Sequence, residues 1–222
     1  MRNKTFISSM VGVAAAVAVA GSANAGVVID PFAQATLTQF KTLAGSAFNS
    51  RETSTSTGFS VNTATNRLVV NTGGGTSAQW RNWGAPVGGT DFAVGPYLDL
   101  SQLDSITFDV SMNSASSFSF SVRYQTGDTA NLTTPGQLVW TNVAVASGNS
   151  TVTLTVGQNS GGTYSEVGPR ATTLSNVSTM RMAWSGAFNG SIGNLQYNNV
   201  PAPGALALLG AAGLVGARRR RA

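Results

Sequence analysis

The feature that most limits what this chain can fold into is a two-residue alternation of apolar and polar side chains that runs through residues 26–199. This period is typical of β-strands with one buried face, whereas an amphipathic helix repeats its apolar positions every three to four residues. Clusters of Gly, Asn, Ser and Thr interrupt the pattern and indicate turns. No segment has a helical pattern. The predicted strands cover residues 68–70, 78–83, 105–112, 117–124, 138–145, 151–156, 180–184 and 192–197.

The two clearest strands, 105–112 and 117–124, are separated by four residues, so we expect them to form a hairpin with one buried face. The side chains predicted to be buried are Ile106, Phe108, Val110, Met112, Phe118, Phe120, Val122 and Tyr124. The opposite faces carry small or polar side chains that suit water or a ligand: Thr107, Asp109, Ser111, Ser119, Ser121 and Arg123. In such a hairpin Asp109 would approach Arg123 as a surface ion pair.

These strands predict an all-β fold for residues 26–199. Seven to nine short strands over 174 residues, without helices and without a repeat of fixed period, favour an antiparallel two-sheet sandwich. Among sandwiches we favour a jelly roll.

The distribution of charge excludes several function classes. Six of the 13 Lys and Arg residues lie at the two ends of the chain, which leaves seven basic residues against eight acidic ones in the body. A nearly neutral body lacks the basic face that binds phosphates, so we expect no nucleic-acid partner. The chain contains no His and no Cys, which removes Ser-His-Asp and Cys-His catalysis, disulfides, and His or thiolate metal sites.

Residues 1–25 have the pattern of a secretory signal peptide. A basic start precedes an apolar run over residues 6–20, and Ala23 and Ala25 are the small residues that a signal peptidase accepts. Cleavage after Ala25 would make Gly26 the first residue of the exported chain. An uncleaved anchor is the alternative, but the apolar run is short for a membrane span.

The segment 200–222 combines a proline-flanked motif, a short apolar stretch and a basic cluster. In order these are Val200, Pro201, Ala202, Pro203 and Gly204, then residues 205–217, then Arg218, Arg219, Arg220 and Arg221. A helix over residues 204–217 would be about 21 Å long, against a bilayer core of about 30 Å. Local thinning of the bilayer and arginines that reach its surface close this gap. The arginines stop translocation and hold this end in the cytoplasm.

This arrangement resembles the PEP-CTERM sorting signal of Gram-negative and related bacteria. Pro201 and Pro203 match the motif, while Ala202 stands where the family most often has Glu. Carriers of the signal are processed by an exosortase, a membrane-embedded cysteine transpeptidase. The resemblance implies transient anchoring in the inner membrane, followed by transfer to the cell surface or the extracellular (biofilm) matrix. A permanent single-span anchor is the alternative.

The body is similar in two places to galactose-binding-like jelly rolls and related carbohydrate-binding modules. Residues 98–108 resemble the entry to one of their strands, and residues 190–195 resemble their final strand. In many members an Asp of the final strand helps to hold a structural calcium ion. Gly193-Asn194 stands at that place here, which leaves Asp30 as the one remaining ligand. Because calcium typically takes six to eight oxygen ligands, we predict no metal and no cofactor.

A sugar site needs an aromatic face for the pyranose and a few polar groups that orient it. The candidate carbohydrate-binding residues are Trp80, Arg81, Trp83 and Tyr97. Trp80 and Trp83 have opposite parity on a strand, so at most one of them lies in the core unless a bulge intervenes. The alternative is that the sandwich and its loops bury both.

Any catalysis in this chain would have to come from carboxylates, and a glycosidase needs two of them roughly 5–10 Å apart. The acids are Asp30, Glu52, Asp91, Asp99, Asp104, Asp109, Asp128 and Glu166. Asp99 and Asp104 flank a turn, where Asp commonly accepts hydrogen bonds from nearby backbone N–H groups. We therefore predict no catalytic residue.

The sequence as a whole predicts an exported, non-catalytic surface or matrix protein that binds exopolysaccharide. Its other expected partners are signal peptidase, an exosortase-type enzyme and, transiently, the membrane. The alternative is an exported, carboxylate-dependent enzyme that acts on polysaccharide. Two acids converging in an open groove would favour the enzyme.

Overall fold

The alternating pattern forms strands throughout the part of the chain that the computed structural model describes, which is residues 26–33, 50–53, 58–72, 78–83, 97–126, 133–184 and 186–200. These residues form twelve strands and one six-residue helix. The strands are β1 Val27–Asp30, β2 Ser50–Thr53, β3 Phe59–Asn62, β4 Arg67–Thr72, β5 Ala78–Trp83, β6 Leu103–Met112, β7 Ser116–Thr126, β8 Thr133–Val145, β9 Gly148–Thr155, β10 Thr163–Val167, β11 Thr179–Trp184 and β12 Phe188–Asn199; the helix α1 is Arg170–Ser175.

Several sequence predictions fall on residues outside the described ranges. These are the signal peptide with Ala23 and Ala25, the sorting segment from Pro201 onward, and the acids Asp91 and Asp128. Within the described ranges no helix is long and apolar enough to cross a membrane.

The strands build two antiparallel sheets. Sheet A has the order β3-β4-β12-β6-β9, with β1 paired to the second half of β12, and sheet B has the order β10-β8-β7-β11-β5-β2. The predicted antiparallel sandwich is confirmed, and all eight predicted strands are present. Strands β1, β2, β3 and β10 and the helix α1 were not predicted.

Aromatic side chains from both sheets meet in the core between them. The ring of Phe108 on β6 lies 5.5 Å from that of Phe118 and 6.2 Å from that of Phe120, both on β7 of the other sheet. The rings of Phe59 on β3 and Trp184 on β11 lie 5.7 Å apart. Burial of each such side chain stabilises the fold by about 1.5–3 kcal/mol, and here it does so without a disulfide.

The predicted hairpin between residues 105–112 and 117–124 is wrong. Strand β6 pairs with β12 and β9 in sheet A, whereas β7 pairs with β8 and β11 in sheet B. The short link between them carries the chain across the sandwich, so their apolar faces pack against each other instead of lying side by side. Asp109 and Arg123 consequently lie on opposite outer faces of the molecule, and the expected ion pair between them is wrong as well.

Asp99 lies in the turn before β6 and accepts a backbone hydrogen bond there, as predicted. Its Oδ1 accepts a hydrogen bond of 2.9 Å from the backbone N–H of Ser101. This bond lowers the pKa of the Asp99 carboxyl, because it stabilises the charged form. Asp99 is therefore a turn residue.

A polar cluster joins the edge strand β10 to the helix α1. The Glu166 carboxylate accepts a 2.8 Å hydrogen bond from Arg170 Nε and a 2.7 Å hydrogen bond from the Tyr164 hydroxyl. The Arg170 hydrogen bond lowers the pKa of Glu166, while burial together with the Glu166 contact raises the pKa of Tyr164. The positive charge of Arg170 is thus paired with the Glu166 carboxylate.

We predict that Trp140→Phe lowers the free energy of unfolding more than Trp184→Phe does. Both indoles are buried, but only Trp140 Nε1 donates hydrogen bonds, at 3.3 Å to Thr155 O and 3.0 Å to Gln158 O. Trp184 Nε1 has no acceptor among the described residues. The hydrogen bonds lost with the Trp140 N–H contribute about 0.5–1.5 kcal/mol beyond the change in packing, because their acceptors belong to the half-buried Thr155 and the exposed Gln158. Chemical denaturation of both variants measures the difference, and equal losses would contradict the prediction.

Candidate functional site

An open polar groove crosses the outer face of sheet A, the face turned away from sheet B. Its larger part has a volume of about 660 Å³ and its smaller part about 350 Å³. The two parts share Thr65, Arg67 and Asp109, so we treat them as one site and call it the sheet A groove. The larger part is lined by Thr65, Arg67, Asp109, Val110, Ser111, Asn149, Ser150, Thr151 and Ser191.

Strand register arranges the floor of this groove in two rows that run across β4, β12, β6 and β9. The first row is Arg67, Gly193, Asp109 and Thr151. The second row is Ser191, Ser111 and Asn149; its register continues on β4 to Val69, which does not line the groove. Because neighbouring strands lie about 4.8 Å apart, the first row extends about 14 Å across the sheet.

The Arg67 side chain lies over β12 in the space that a side chain at Gly193 would fill. Its Nε donates a 2.7 Å hydrogen bond to Ser191 Oγ, and its Nη2 donates to the backbone oxygens of Ser191, at 3.0 Å, and Asp109, at 3.4 Å. A Cβ added at Gly193 would lie 3.1 Å from Arg67 Nη1 and 3.2 Å from its Cγ. The glycine therefore makes room for the guanidinium.

The turn between β3 and β4 positions Arg67 over Gly193 of β12. Asn62 Oδ1 accepts hydrogen bonds from the backbone N–H groups of Ala64, at 3.1 Å, and Thr65, at 3.3 Å. Asn66 then adopts a left-handed conformation with φ of +53°, which Asn tolerates better than most residues. The strand restarts at Arg67, with its side chain on the outer face.

Asp109 occupies the middle of the groove floor and is held from two sides. Thr151 Oγ1 donates a 2.9 Å hydrogen bond to its Oδ1, and Asn194 Nδ2 lies 3.4 Å from its Oδ2. Asn194 reaches it from an irregularity in β12, where the register with β6 shifts after Gly193 and the φ of Asn194 is +53°. A bulge of this kind redirects one side chain out of the regular alternation.

Asp30 and Asp109 both line the smaller part of the groove, so two of the eight acids do converge there. Asp30 is fully buried, and its Oδ1 accepts a 2.8 Å hydrogen bond from the backbone N–H of Phe32. Asp109 is half-buried and faces the opening. Among the described residues no group of three or more acidic side chains is close enough together to hold a metal ion.

The residues predicted to bind sugar do not form one surface. Trp80 is 1% exposed, with its ring 6.1 Å from that of Phe32, so it is a core residue and offers no face to a pyranose. Tyr97 is half-buried, with its ring edge-on to Tyr124 at 5.4 Å. In the backbone register of sheet B, Arg81 lies opposite Arg181 and Trp83 opposite Thr179. The side chains of Arg81 and Trp83 lie outside what the structure describes.

Two residues of the predicted processing segments fall within the described ranges, and both adjoin strand ends. Gly26 precedes β1, where an added Cβ would lie close to Gln196 Oε1 and 2.9 Å from Asn198 Oδ1. Val200 follows β12 and donates a 2.7 Å backbone hydrogen bond to Gln102 O. Since Val27 pairs with Tyr197, the start of β1 lies beside the end of β12.

The sequence pattern identified Asp109 and Ser111 as outward-facing residues of the groove, but it did not identify Arg67, the positively charged residue. The outward positions of Asp109 and Ser111 followed from alternation, whereas Arg67 lies in a hairpin whose first strand was not predicted. The available signal was Asn62-Thr63-Ala64-Thr65-Asn66, a cluster of turn-forming residues directly before the apolar run 68–70.

Comparisons with known proteins find only distant likenesses, all of them to solved structures. No protein-family model and no curated protein matches the chain. The chain is similar to the family 11 carbohydrate-binding module of the cellulosomal cellulase Lic26A-Cel5E of Clostridium thermocellum. The two are 14% identical, the alignment covers 81% of this chain and 97% of that one, and the TM-score is 0.41.

The same comparison finds a family 11 carbohydrate-binding module from Clostridium thermocellum in complex with a β-1,3-1,4-mixed-linked tetrasaccharide. It is 13% identical, with 68% of this chain and 83% of that chain covered and a TM-score of 0.38. At these values the likenesses assign neither a family nor a ligand to this chain.

We predict that Gly190→Ala destabilises the fold more than Gly193→Ala, although both glycines lie in β12. A Cβ at Gly190 would lie 2.4 Å from the backbone oxygen of Ser111, which yields only if the strands move apart. At Gly193 it would lie 3.1–3.2 Å from Arg67 side-chain atoms, and a shift of a few tenths of an ångström in that side chain relieves these contacts. Overpacking typically costs about 1–3 kcal/mol, and we expect Gly190→Ala to fall in that range and Gly193→Ala below it. Thermal denaturation compares them, and a larger loss for Gly193→Ala would contradict the packing described above.

Proposed function

We propose that this protein is an exported, non-catalytic component of the bacterial surface or matrix that binds exopolysaccharide in the sheet A groove. The observation that carries the proposal is the double row of polar side chains on the groove floor. Hydroxyl, amide, carboxylate and guanidinium groups lie together there on one rigid sheet.

The groove suits a polysaccharide because its polar groups are held in place before a ligand arrives. Arg67 is fixed by three hydrogen bonds and Asp109 by Thr151 and Asn194. Ser111 and Asn149 add further donors and acceptors, and the open shape admits a chain that continues beyond the site. Preorganised groups lose little conformational entropy on binding, which favours affinity.

Binding is favoured over hydrolysis by the unequal positions of the two acids. Asp109 faces the opening, but Asp30 is fully buried and already accepts a backbone hydrogen bond. A glycosidase places both carboxyl groups beside the scissile bond, one on each side of it. A buried carboxylate beneath the floor does not meet that requirement.

A carboxylate-dependent enzyme is the second candidate, and the specific observation in its favour is the convergence of Asp30 and Asp109 in one groove. It would require Asp30 to become accessible when substrate binds. Release of new reducing ends from the polysaccharide separates this candidate from a binding protein.

Export and sorting are supported by the segments at the two ends of the chain. The residues before Gly26 match a signal peptide, and the residues from Val200 to Arg221 match the three parts of a PEP-CTERM signal in order. The folded strands begin at Val27 and end at Asn199, between these segments. Cleavage at both ends would therefore leave every described strand intact.

We predict that Ser111→Leu lowers the affinity for exopolysaccharide, purified from the bacterium that makes this protein, about ten-fold or more. The leucine fills the groove and covers the polar groups that would bind the sugar. Ser119→Leu is the matched control, since Ser119 lies at an outward position of β7 in sheet B. Affinity electrophoresis of the exported protein measures both variants. Equal losses for both, or none for Ser111→Leu, would contradict the assignment of the groove.

The same experiment tests the two alternatives. If Trp83→Ala abolishes binding while Ser111→Leu does not, the sugar site lies on sheet B. Reducing ends that appear with the wild-type protein and disappear with Asp109→Asn would establish the enzyme.

We predict that the mature protein begins at Gly26 and has lost the residues beyond the Pro201-Ala202-Pro203 motif. Intact-mass and terminal-peptide mass spectrometry of protein from the native cell envelope and medium measures both ends. A mature membrane-bound protein that still carries Arg221 would contradict sorting and indicate a permanent anchor.

A further inference from the structure

Arg67 is the cation of the sheet A groove, and part of its guanidinium is left without a protein partner. Its hydrogen bonds to the protein use Nε and Nη2. Among the described residues nothing accepts a hydrogen bond from Nη1, and no carboxylate forms an ion pair with this arginine. Two N–H groups and a full positive charge therefore remain available to a ligand.

The fold holds this free charge in a defined place. Arg67 is half-buried, its stem covers Gly193, and its three hydrogen bonds all go to neutral oxygens. Carbonyl and hydroxyl oxygens orient a guanidinium without neutralising it. Arg170 on helix α1 shows the contrasting case, since its charge is paired with Glu166 on β10.

Two carboxylates line the groove with Arg67, and both are engaged elsewhere. Asp109 accepts from Thr151, with Asn194 beside its other oxygen, and Asp30 is buried below the smaller part. In the larger part, the lining other than Arg67 and Asp109 is uncharged. An anionic group that enters the larger part therefore finds one cation with free donors. It also meets the negative charge of Asp109, which Thr151 and Asn194 hold in place but do not neutralise.

We propose that the sheet A groove recognises an acidic polysaccharide, with the carboxylate of a uronic acid residue bound to Arg67 Nη1. The inference rests on the proposed function and specifies its ligand class. A carboxylate forms a charge-assisted hydrogen bond with a guanidinium, which is roughly twice as strong as a neutral one. Neutral hydroxyls of the same glycan then bind Ser111, Asn149 and Ser191 along the second row.

The experiment compares trigalacturonate with its methyl ester, which has the same backbone without the charge. Isothermal titration calorimetry with the exported protein gives the affinity for each. We expect trigalacturonate to bind about ten-fold or more tightly than the ester, since a hydrogen bond to a charged group contributes about 1.5–3 kcal/mol. The advantage should shrink as NaCl is raised, because salt screens half-exposed charges.

Arg67→Gln should remove the preference for the acid and leave the affinity for the ester almost unchanged. Arg170→Gln is the matched control and should retain the preference, because Arg170 lies outside the groove. The salt dependence of the wild-type protein tests the proposal even if Arg67→Gln does not fold.

The outcomes separate this inference from the proposed function. Equal binding of acid and ester, or binding of the neutral ester and host polysaccharide but not of trigalacturonate, would overturn the acidic preference and leave a polysaccharide-binding groove. No binding of trigalacturonate, its ester or host polysaccharide would overturn both. A preference that survives Arg67→Gln would assign the anion to another cation.

Discussion

The burial of one face of each long strand against the opposite sheet is the constraint on which the rest of this structure depends. The chain has no cysteine, and the buried apolar side chains of both sheets form one core between them. Once Phe108 and Val110 face inward on β6, Asp109 and Ser111 must face outward. The same parity that builds the core therefore places the polar rows on the outer face of sheet A.

The shape of the groove depends on a glycine, Gly193, inside its central strand β12. Glycine inside a strand lowers stability, because it packs no side chain and loses more backbone entropy on folding. At Gly193 that loss is offset by the hydrogen bonds of Arg67, whose guanidinium occupies the vacated space.

Alternation predicted which residues form the long strands and, for most of them, which face is buried, but not which strands are neighbours. On β7 it was wrong at two positions, because Ser121 is buried and Tyr124 is only half-buried. Strands β6 and β7 illustrate the limit, because their apolar faces suit a hairpin and a sandwich equally well, and only the packing of the whole chain decides between them. Short strands such as β3 contain too few residues for a clear period, so Arg67 was missed along with the hairpin that carries it. Trp80 lies in the core, as strand alternation allows for one of the two tryptophans. Asp30 and Asp109 lie close together because β1 pairs with an irregular part of β12, and no local sequence pattern predicts that pairing.

Among the described residues that line the larger part of the groove there is no aromatic one, which bears on how a sugar would be held there. Without a ring to stack on, affinity comes from hydrogen bonds and charge, and such sites are sensitive to the identity of each polar group. Selectivity among glycans of similar shape but different substituents is the natural property of such a surface. Repetition of modest contacts along a polymer then supplies avidity.

The placement of β12 determines how the sandwich would respond to mechanical force. This strand is hydrogen-bonded to β6 on one side and to β4 and β1 on the other, and it runs to Asn199, next to Val200. A pull applied at Val200 acts along the strand, so many hydrogen bonds on both sides share the load in shear instead of breaking one after another. Tension applied at Val200 would thus enter the most extensively paired strand of sheet A, which also forms part of the floor of the groove.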